Sequence, residues 1–126
     1  MELMEDGTTI EQQMFTMATE KKVPLYGVLE LLPLCNLNCD MCYVRMSREE
    51  MEQVGRLRTM EEWTKTAEDM MKAGTLFCFF FDRWRAAAVS TFPRVISKLR
   101  ELGMIITINT NGTLINEAWA DFFCGK

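Results

Sequence analysis

Three short apolar segments recur along the chain, and stretches with helical spacing of apolar residues separate them. The segments cover residues 26–32, 75–81 and 104–108, and each is bordered by a Gly or a Pro that interrupts regular structure. Continuous apolar runs of this length predict strands that are buried on both faces, as in a parallel sheet. The alternation of strand and helix therefore predicts an α/β fold built from right-handed βαβ units.

The predicted helices begin at recognisable signals. Thr59, with Glu62 three residues later, forms a capping box at the start of a helix that leads to the second strand. The next helix is predicted to begin at Phe92 or Pro93, and Asn116 is placed to cap a last one. Each predicted strand is thus followed by a helix, as a βα repeat requires.

The first 24 residues differ in character from the rest of the chain. Residues 1–24 are polar with scattered Met and close on Pro24, which predicts a flexible N-terminal arm. Residues 25–126 contain all three βα units, which are too few to close a barrel and leave the last strand with an unpaired edge. We therefore expect residues 25–126 to be a truncated domain, the N-terminal portion of a larger one.

Composition excludes several classes of partner. The chain has 126 residues, of which 48% are hydrophobic and 25% charged, as in one ordinary globular domain. The formal net charge of -4 offers no basic surface for nucleic acid or anionic lipid. The apolar runs are shorter than the roughly 20 residues that span a bilayer, and the start of the chain does not resemble an export signal. We expect a cytoplasmic protein with neither nucleic acid nor membrane as a partner.

Three of the five cysteines crowd into eight positions directly after the first predicted strand. Cys35, Cys39 and Cys42 have spacings of four and three on one loop, so their thiolates can converge on one centre. Iron–sulfur clusters are held by Cys thiolates, and a cubane with three protein ligands keeps one iron open. Asn111 follows the third strand at the same edge of the sheet, where barrel active sites lie, although Asn-Gly is also an ordinary turn signal.

A zinc site and a purely structural role are the two alternatives for these cysteines. A structural zinc site needs four ligands, commonly Cys and His, and this chain has no His. A fourth zinc ligand would have to be Cys78 or Cys124. Cys78 is inside an apolar segment, and Cys124 is near the end of the chain. The other alternative is that the cysteines are small buried hydrophobic residues, but three of them in one loop argue against that role.

The cysteine motif resembles that of a known family. The pattern CxxxCxxC followed by Tyr43, placed after the first strand of a βα repeat, resembles the signature of the radical S-adenosylmethionine (SAM) superfamily. The runs CNLNCDMCYVRMS and INTNGTLI look most like the branch that includes peptide-modifying and sulfatase-maturing enzymes. The resemblance runs from about Pro24 to the C-terminus, and it implies the N-terminal portion of a partial TIM barrel.

The resemblance also implies a site and a reaction. Cys35, Cys39 and Cys42 would bind three irons of a 4Fe-4S cluster, SAM would chelate the fourth, and Tyr43 would lie beside the adenine of SAM. The reduced cluster would cleave SAM to a 5′-deoxyadenosyl radical that abstracts hydrogen from a peptide or small-molecule substrate. An electron donor such as flavodoxin or ferredoxin is implied as a partner. The alternative is a non-catalytic iron–sulfur or zinc module, a pseudoenzyme.

One expected motif of the family is replaced. After the second strand the family has Gly-Gly-Glu-Pro, which receives the SAM amino group, whereas residues 81–89 here are FDRWRAAAV. Trp84 and two Arg stand where glycines would let a ligand approach the backbone. A particular choice of synonymous codons for this window, read one base later, would encode Leu-Thr-Gly-Gly-Glu-Pro-Leu-Leu. We hypothesise that this window is frame-shifted, and the alternative is a divergent loop. In either case, cluster binding does not by itself imply turnover.

Overall fold

The computed structural model describes residues 7–81 and 91–125. In chain order the elements are α1 (Ile10–Lys21), β1 (Tyr26–Glu30), α2 (Arg48–Val54), α3 (Met60–Ala73), β2 (Phe77–Phe81), α4 (Thr91–Glu101), β3 (Ile105–Asn109) and α5 (Glu117–Cys124). The strands form a parallel sheet in the order β1-β2-β3, which confirms the predicted α/β class. The hypothesised frame-shifted window lies outside the described residues, except for the end of β2.

One face of the sheet packs against α3 and α4 and contains the core. Leu29 of β1 pairs in register with Phe80 of β2, which pairs with Ile108 of β3. Phe80 is fully buried, and its ring meets that of Phe92 edge-on with the centroids 5.2 Å apart. The helices contribute further buried side chains to this core: Trp63, Ala67, Val95, Ile96 and Leu99.

The opposite face of the sheet is largely open. Val28 is 61% exposed and Ile105 is 52% exposed. At the amino end of this face the Tyr26 ring stacks on Phe77, with centroids 4.9 Å apart, and on Phe15 of α1, with centroids 5.1 Å apart. The strands therefore have one covered face and one face on which aromatic stacking covers only one end.

Helix α1 lies within the segment that the sequence predicts to be a flexible arm. The Thr9 side chain accepts from the Gln12 N–H at 3.2 Å, and the Gln12 side chain accepts from the Thr9 N–H at 2.8 Å. This capping box is a helix signal that the prediction did not use. No residue of α1 is buried, so this helix adds no side chain to the buried core. The division of the chain at residue 24 stays a prediction.

Helix α3 begins at the predicted capping box. Thr59 Oγ1 accepts from the Glu62 N–H at 3.3 Å, and Glu62 Oε2 accepts from the Thr59 N–H at 2.8 Å. Arg56 binds the same carboxylate at 2.7 Å. The pKa of Glu62 is lowered to about 2, mainly by the hydrogen bonds from Arg56 and then by the hydrogen bond from the Thr59 backbone. Gly74 ends the helix with φ of +97°, which favours glycine.

None of the helices in residues 7–81 and 91–125 combines the length and the apolar character that a bilayer crossing requires.

Candidate metal centre

The candidate site lies at the carboxyl edge of the sheet. Because β1, β2 and β3 are parallel, the segments that follow them leave the sheet at the same edge. We call residues 35–43 the cysteine loop, which follows β1, and residues 110–115 the β3 turn. The two segments belong to strands that are separated by β2, and they contact each other through polar side chains.

The three cysteines differ in exposure. Cys35 and Cys42 are half-buried, whereas Cys39 is exposed. The Cys42 N–H donates to the Cys39 carbonyl at 3.1 Å, which forms a tight turn between the second and third cysteines. The Met46 N–H donates to the Pro33 carbonyl at 3.1 Å and brings together the two chain segments that flank the cysteine loop.

Two N–H groups point at the sulfur of Cys35. The Leu37 N–H donates to Cys35 Sγ at 3.4 Å, and Asn111 Nδ2 donates to the same sulfur at 3.5 Å. The Cys35 thiol in turn lies 3.9 Å from Asn36 Oδ1. Cys35 is thus held both by its own loop and by the β3 turn.

Asn36, Asn111 and Thr113 form a closed ring of side-chain hydrogen bonds. Asn111 Nδ2 donates to Asn36 Oδ1 at 2.9 Å, and Asn36 Nδ2 donates to Thr113 Oγ1 at 2.7 Å. Thr113 Oγ1 donates to Asn111 Oδ1 at 2.9 Å, which completes the ring. We call these three residues the Asn–Asn–Thr ring. It joins the cysteine loop to the β3 turn.

The described conformation does not bring three ligands together. In residues 7–81 and 91–125, no group of three Cys, His, Asp or Glu side chains is arranged to hold a metal ion. The donor chemistry nevertheless fits an iron–sulfur cluster, because three thiols share one loop and N–H groups face the sulfur of Cys35. Cluster binding therefore requires Cys39 and Cys42 to move to a common centre with Cys35. Such a rearrangement is expected, because metal sites are often formed only when the metal binds.

The other predicted site residue and the remaining thiols lie in different surroundings. Tyr43 is 93% exposed, so its ring is open to solvent, and its place beside adenine stays a prediction. Cys78 is fully buried near the amino end of β2, and burial raises its pKa to about 11. Cys124 is exposed at the end of α5.

Sequence reasoning placed Asn111 at this edge but did not find its partners. The Asn111–Cys35 contact joins residues 76 positions apart, and Asn36 and Thr113 had no assigned role. A signal was available in the parallel topology, which brings the segments after β1 and β3 to one edge. The pairing of particular side chains across that edge has no local pattern in the sequence.

Comparison with known proteins defines the class of this protein. The profile of the Radical SAM superfamily matches residues 29–125, from within β1 through the cysteine loop to α5. The chain belongs to the radical SAM superfamily, as the cysteine motif predicted. Searches of curated proteins and of solved structures each returned no match.

Proposed function

We propose that this chain holds a 4Fe-4S cluster on Cys35, Cys39 and Cys42 and presents its open iron to SAM, for reductive SAM cleavage and radical chemistry on a substrate. The observation that carries the proposal is the position of the CxxxCxxC loop, which leaves β1 at the carboxyl edge of a parallel sheet in a radical SAM chain. When bound, the cluster would supply the electron that cleaves SAM.

The groups of the proposed site have different roles. The three thiolates bind iron, and using only three of them leaves one iron for an external ligand. The Leu37 N–H and the Asn111 amide hold the sulfur of Cys35 at 3.4 Å and 3.5 Å. Tyr43 is proposed to lie beside the adenine of SAM once the loop has closed.

We also propose the substrate class, the cellular location and the electron donor of this reaction. The runs CNLNCDMCYVRMS and INTNGTLI favour the peptide-modifying and sulfatase-maturing branch, and hence a peptide or a small molecule as substrate. Reduced thiols and an oxygen-sensitive centre suit the cytoplasm, with flavodoxin or ferredoxin as the electron donor. The net charge of -4 favours neither nucleic acid nor a membrane as a partner.

A second candidate function is a non-catalytic iron–sulfur or zinc module. One observation favours it: the Gly-Gly-Glu-Pro motif of the family is replaced here by Arg83 to Ala86. Such a module would hold its metal without responding to SAM.

Electron paramagnetic resonance (EPR) with and without SAM separates the two candidates. The protein is reconstituted anaerobically with iron and sulfide, reduced, and titrated with SAM. The proposal predicts a cubane spectrum that changes when SAM is added. A cubane spectrum that ignores SAM would support the non-catalytic iron–sulfur module, and stoichiometric zinc without iron in the protein as purified, measured by elemental analysis, would support the zinc module.

A further inference from the structure

We propose that Asn111 is a positioning residue that holds Cys35 ready as the first ligand of the cluster. This inference rests on the proposed function, because it assumes that Cys35 binds iron. The observation that carries it is the contact of Asn111 Nδ2 with Cys35 Sγ at 3.5 Å, made between segments that follow non-adjacent strands.

The orientation of the Asn111 amide is set by Thr113. The Thr113 N–H donates to Asn111 Oδ1 at 3.1 Å, and Thr113 Oγ1 donates to the same oxygen at 2.9 Å. With its oxygen taken by two donors, the amide must direct its NH2 group to the other side. Cys35 Sγ and Asn36 Oδ1, at 3.5 Å and 2.9 Å, lie there as acceptors.

The β3 turn does not require this NH2 group. An Asn in such a turn stabilises the backbone through its side-chain oxygen, which here accepts from the Thr113 N–H. The Gly112 N–H is bound separately by Thr110 Oγ1 at 3.2 Å. The NH2 group of Asn111 is therefore available to hold the cysteine loop.

Hydrogen bonds to a ligand thiolate affect an iron–sulfur cluster in two ways. They orient the sulfur and strengthen ligation, and they set the reduction potential by stabilising negative charge on sulfur. Cys35 receives two such donors, from the Leu37 N–H and from Asn111 Nδ2. Cys35 would therefore be in place before Cys39, which is exposed, joins the centre.

Two substitutions separate positioning from folding. Asn111→Asp keeps an oxygen for the two Thr113 donors but loses the NH2 group, and Asn111→Ser is neutral, can still make a local turn and is too short to reach the sulfur. Asn116→Ala is the control, because Asn116 caps α5 through the Trp119 N–H and lies outside the Asn–Asn–Thr ring. We expect iron loss to a chelator to be about 10-fold faster in both Asn111 variants, with a more negative midpoint potential, and the control to match the wild type.

A measurement on the metal-free protein makes the inference independent of the cluster. Hydrogen exchange of the Leu37 amide, which donates to Cys35 Sγ, is expected to be several-fold faster in Asn111→Ser than in the wild type and Asn116→Ala. Unchanged exchange, or an unchanged potential and iron-loss rate in the loaded variants, would overturn the inference. If the wild type bound no cluster, the proposed function would fail, while the Leu37 exchange rates would still decide whether Asn111 positions Cys35.

Discussion

Cys78 shows how the surroundings of a thiol decide its chemistry. It pairs in register with Gly27 of β1 and Ile106 of β3, and its side chain, part of the buried core, has no exposed surface. The apolar surroundings disfavour the thiolate and raise the pKa of Cys78 to about 11. A thiol that stays protonated is a poor iron ligand, so the core cysteine is unsuited to the cluster.

The raised pKa of Cys78 predicts a loss of stability at alkaline pH. Between its ordinary pKa of 9.0 and about 11, the thiol ionises in the unfolded chain but not in the folded one. The free energy of unfolding should therefore fall as pH rises through this window, by about 2 kcal/mol in all. Urea denaturation at pH 8 to 11 measures this fall.

Cys78→Ala is the control for that titration. It lowers stability at every pH by leaving a small cavity, but it removes the thiol and should flatten the added slope above pH 9. An equally steep slope in Cys78→Ala would assign the alkaline loss to other groups and contradict the burial argument.

At the level of single residues, the sequence singles out the candidate ligands but not their surroundings. Cys35, Cys39 and Cys42 stand out because of their spacing alone. Asn36 and Thr113 do not, because their part in the Asn–Asn–Thr ring depends on two loops meeting across the sheet edge. Tertiary contacts of this kind are fixed by topology and not by neighbouring residues.

Helix α3 is the element whose start the sequence predicted most directly. Its N-cap, Thr59, and Glu62 exchange two hydrogen bonds that satisfy N–H groups left unpaired at a helix start.

The predicted strand over residues 26–32 was too long, because β1 ends at Glu30. Leu31 and Leu32 are still buried, so an apolar run marks burial and does not fix where the strand ends.

Removing the cap of α3 should destabilise the protein measurably. Thr59→Ala is expected to cost about 1 kcal/mol of unfolding free energy, because the Glu62 N–H loses its acceptor. The matched control is Thr64→Ala, which removes a threonine from the interior of the same helix and should have little effect or a slightly stabilising one. Equal losses in the two variants, measured by urea denaturation, would argue against the capping contribution.

At the scale of the whole molecule, residues 7–81 and 91–125 contain a three-stranded parallel sheet with one face covered by helices. Among residues 7–81 and 91–125, β3 pairs only with β2, and Val28 and Ile105 remain more than half exposed on the open face. The number of strands and their parallel pairing could be predicted because each βα unit has its own apolar run and helix signal. The packing of α1 against the open face, through Phe15 and Tyr26, could not be predicted, because it depends on a stacking contact between separate elements.

Restoring the replaced motif should strengthen the response to SAM. In the variant Arg83→Gly, Trp84→Gly, Arg85→Glu, Ala86→Pro, the window regains the Gly-Gly-Glu-Pro that the family uses for the SAM amino group. Glycines permit close approach of a ligand to the backbone, and the Glu supplies a carboxylate for the ammonium. We expect SAM to change the EPR spectrum of the variant at a concentration at least about 10-fold lower than in the wild type, a difference of about 1.4 kcal/mol.

The control for the restored motif is Arg83→Gly alone, which removes one bulky side chain without supplying the carboxylate. It should respond to SAM as the wild type does. A four-residue variant that binds SAM no better than the wild type would count against the frame-shift hypothesis and favour a divergent loop.

The most direct test of the account is the iron and sulfide content of the reconstituted protein and its single-cysteine variants. Cys35→Ala, Cys39→Ala and Cys42→Ala are compared with Cys124→Ala, which removes an exposed thiol at the end of α5. We predict the content of one 4Fe-4S cluster in the wild type and in Cys124→Ala, with its loss in each of the other three. A cluster that survives removal of any of those three cysteines, or that requires Cys124, would contradict a three-cysteine centre.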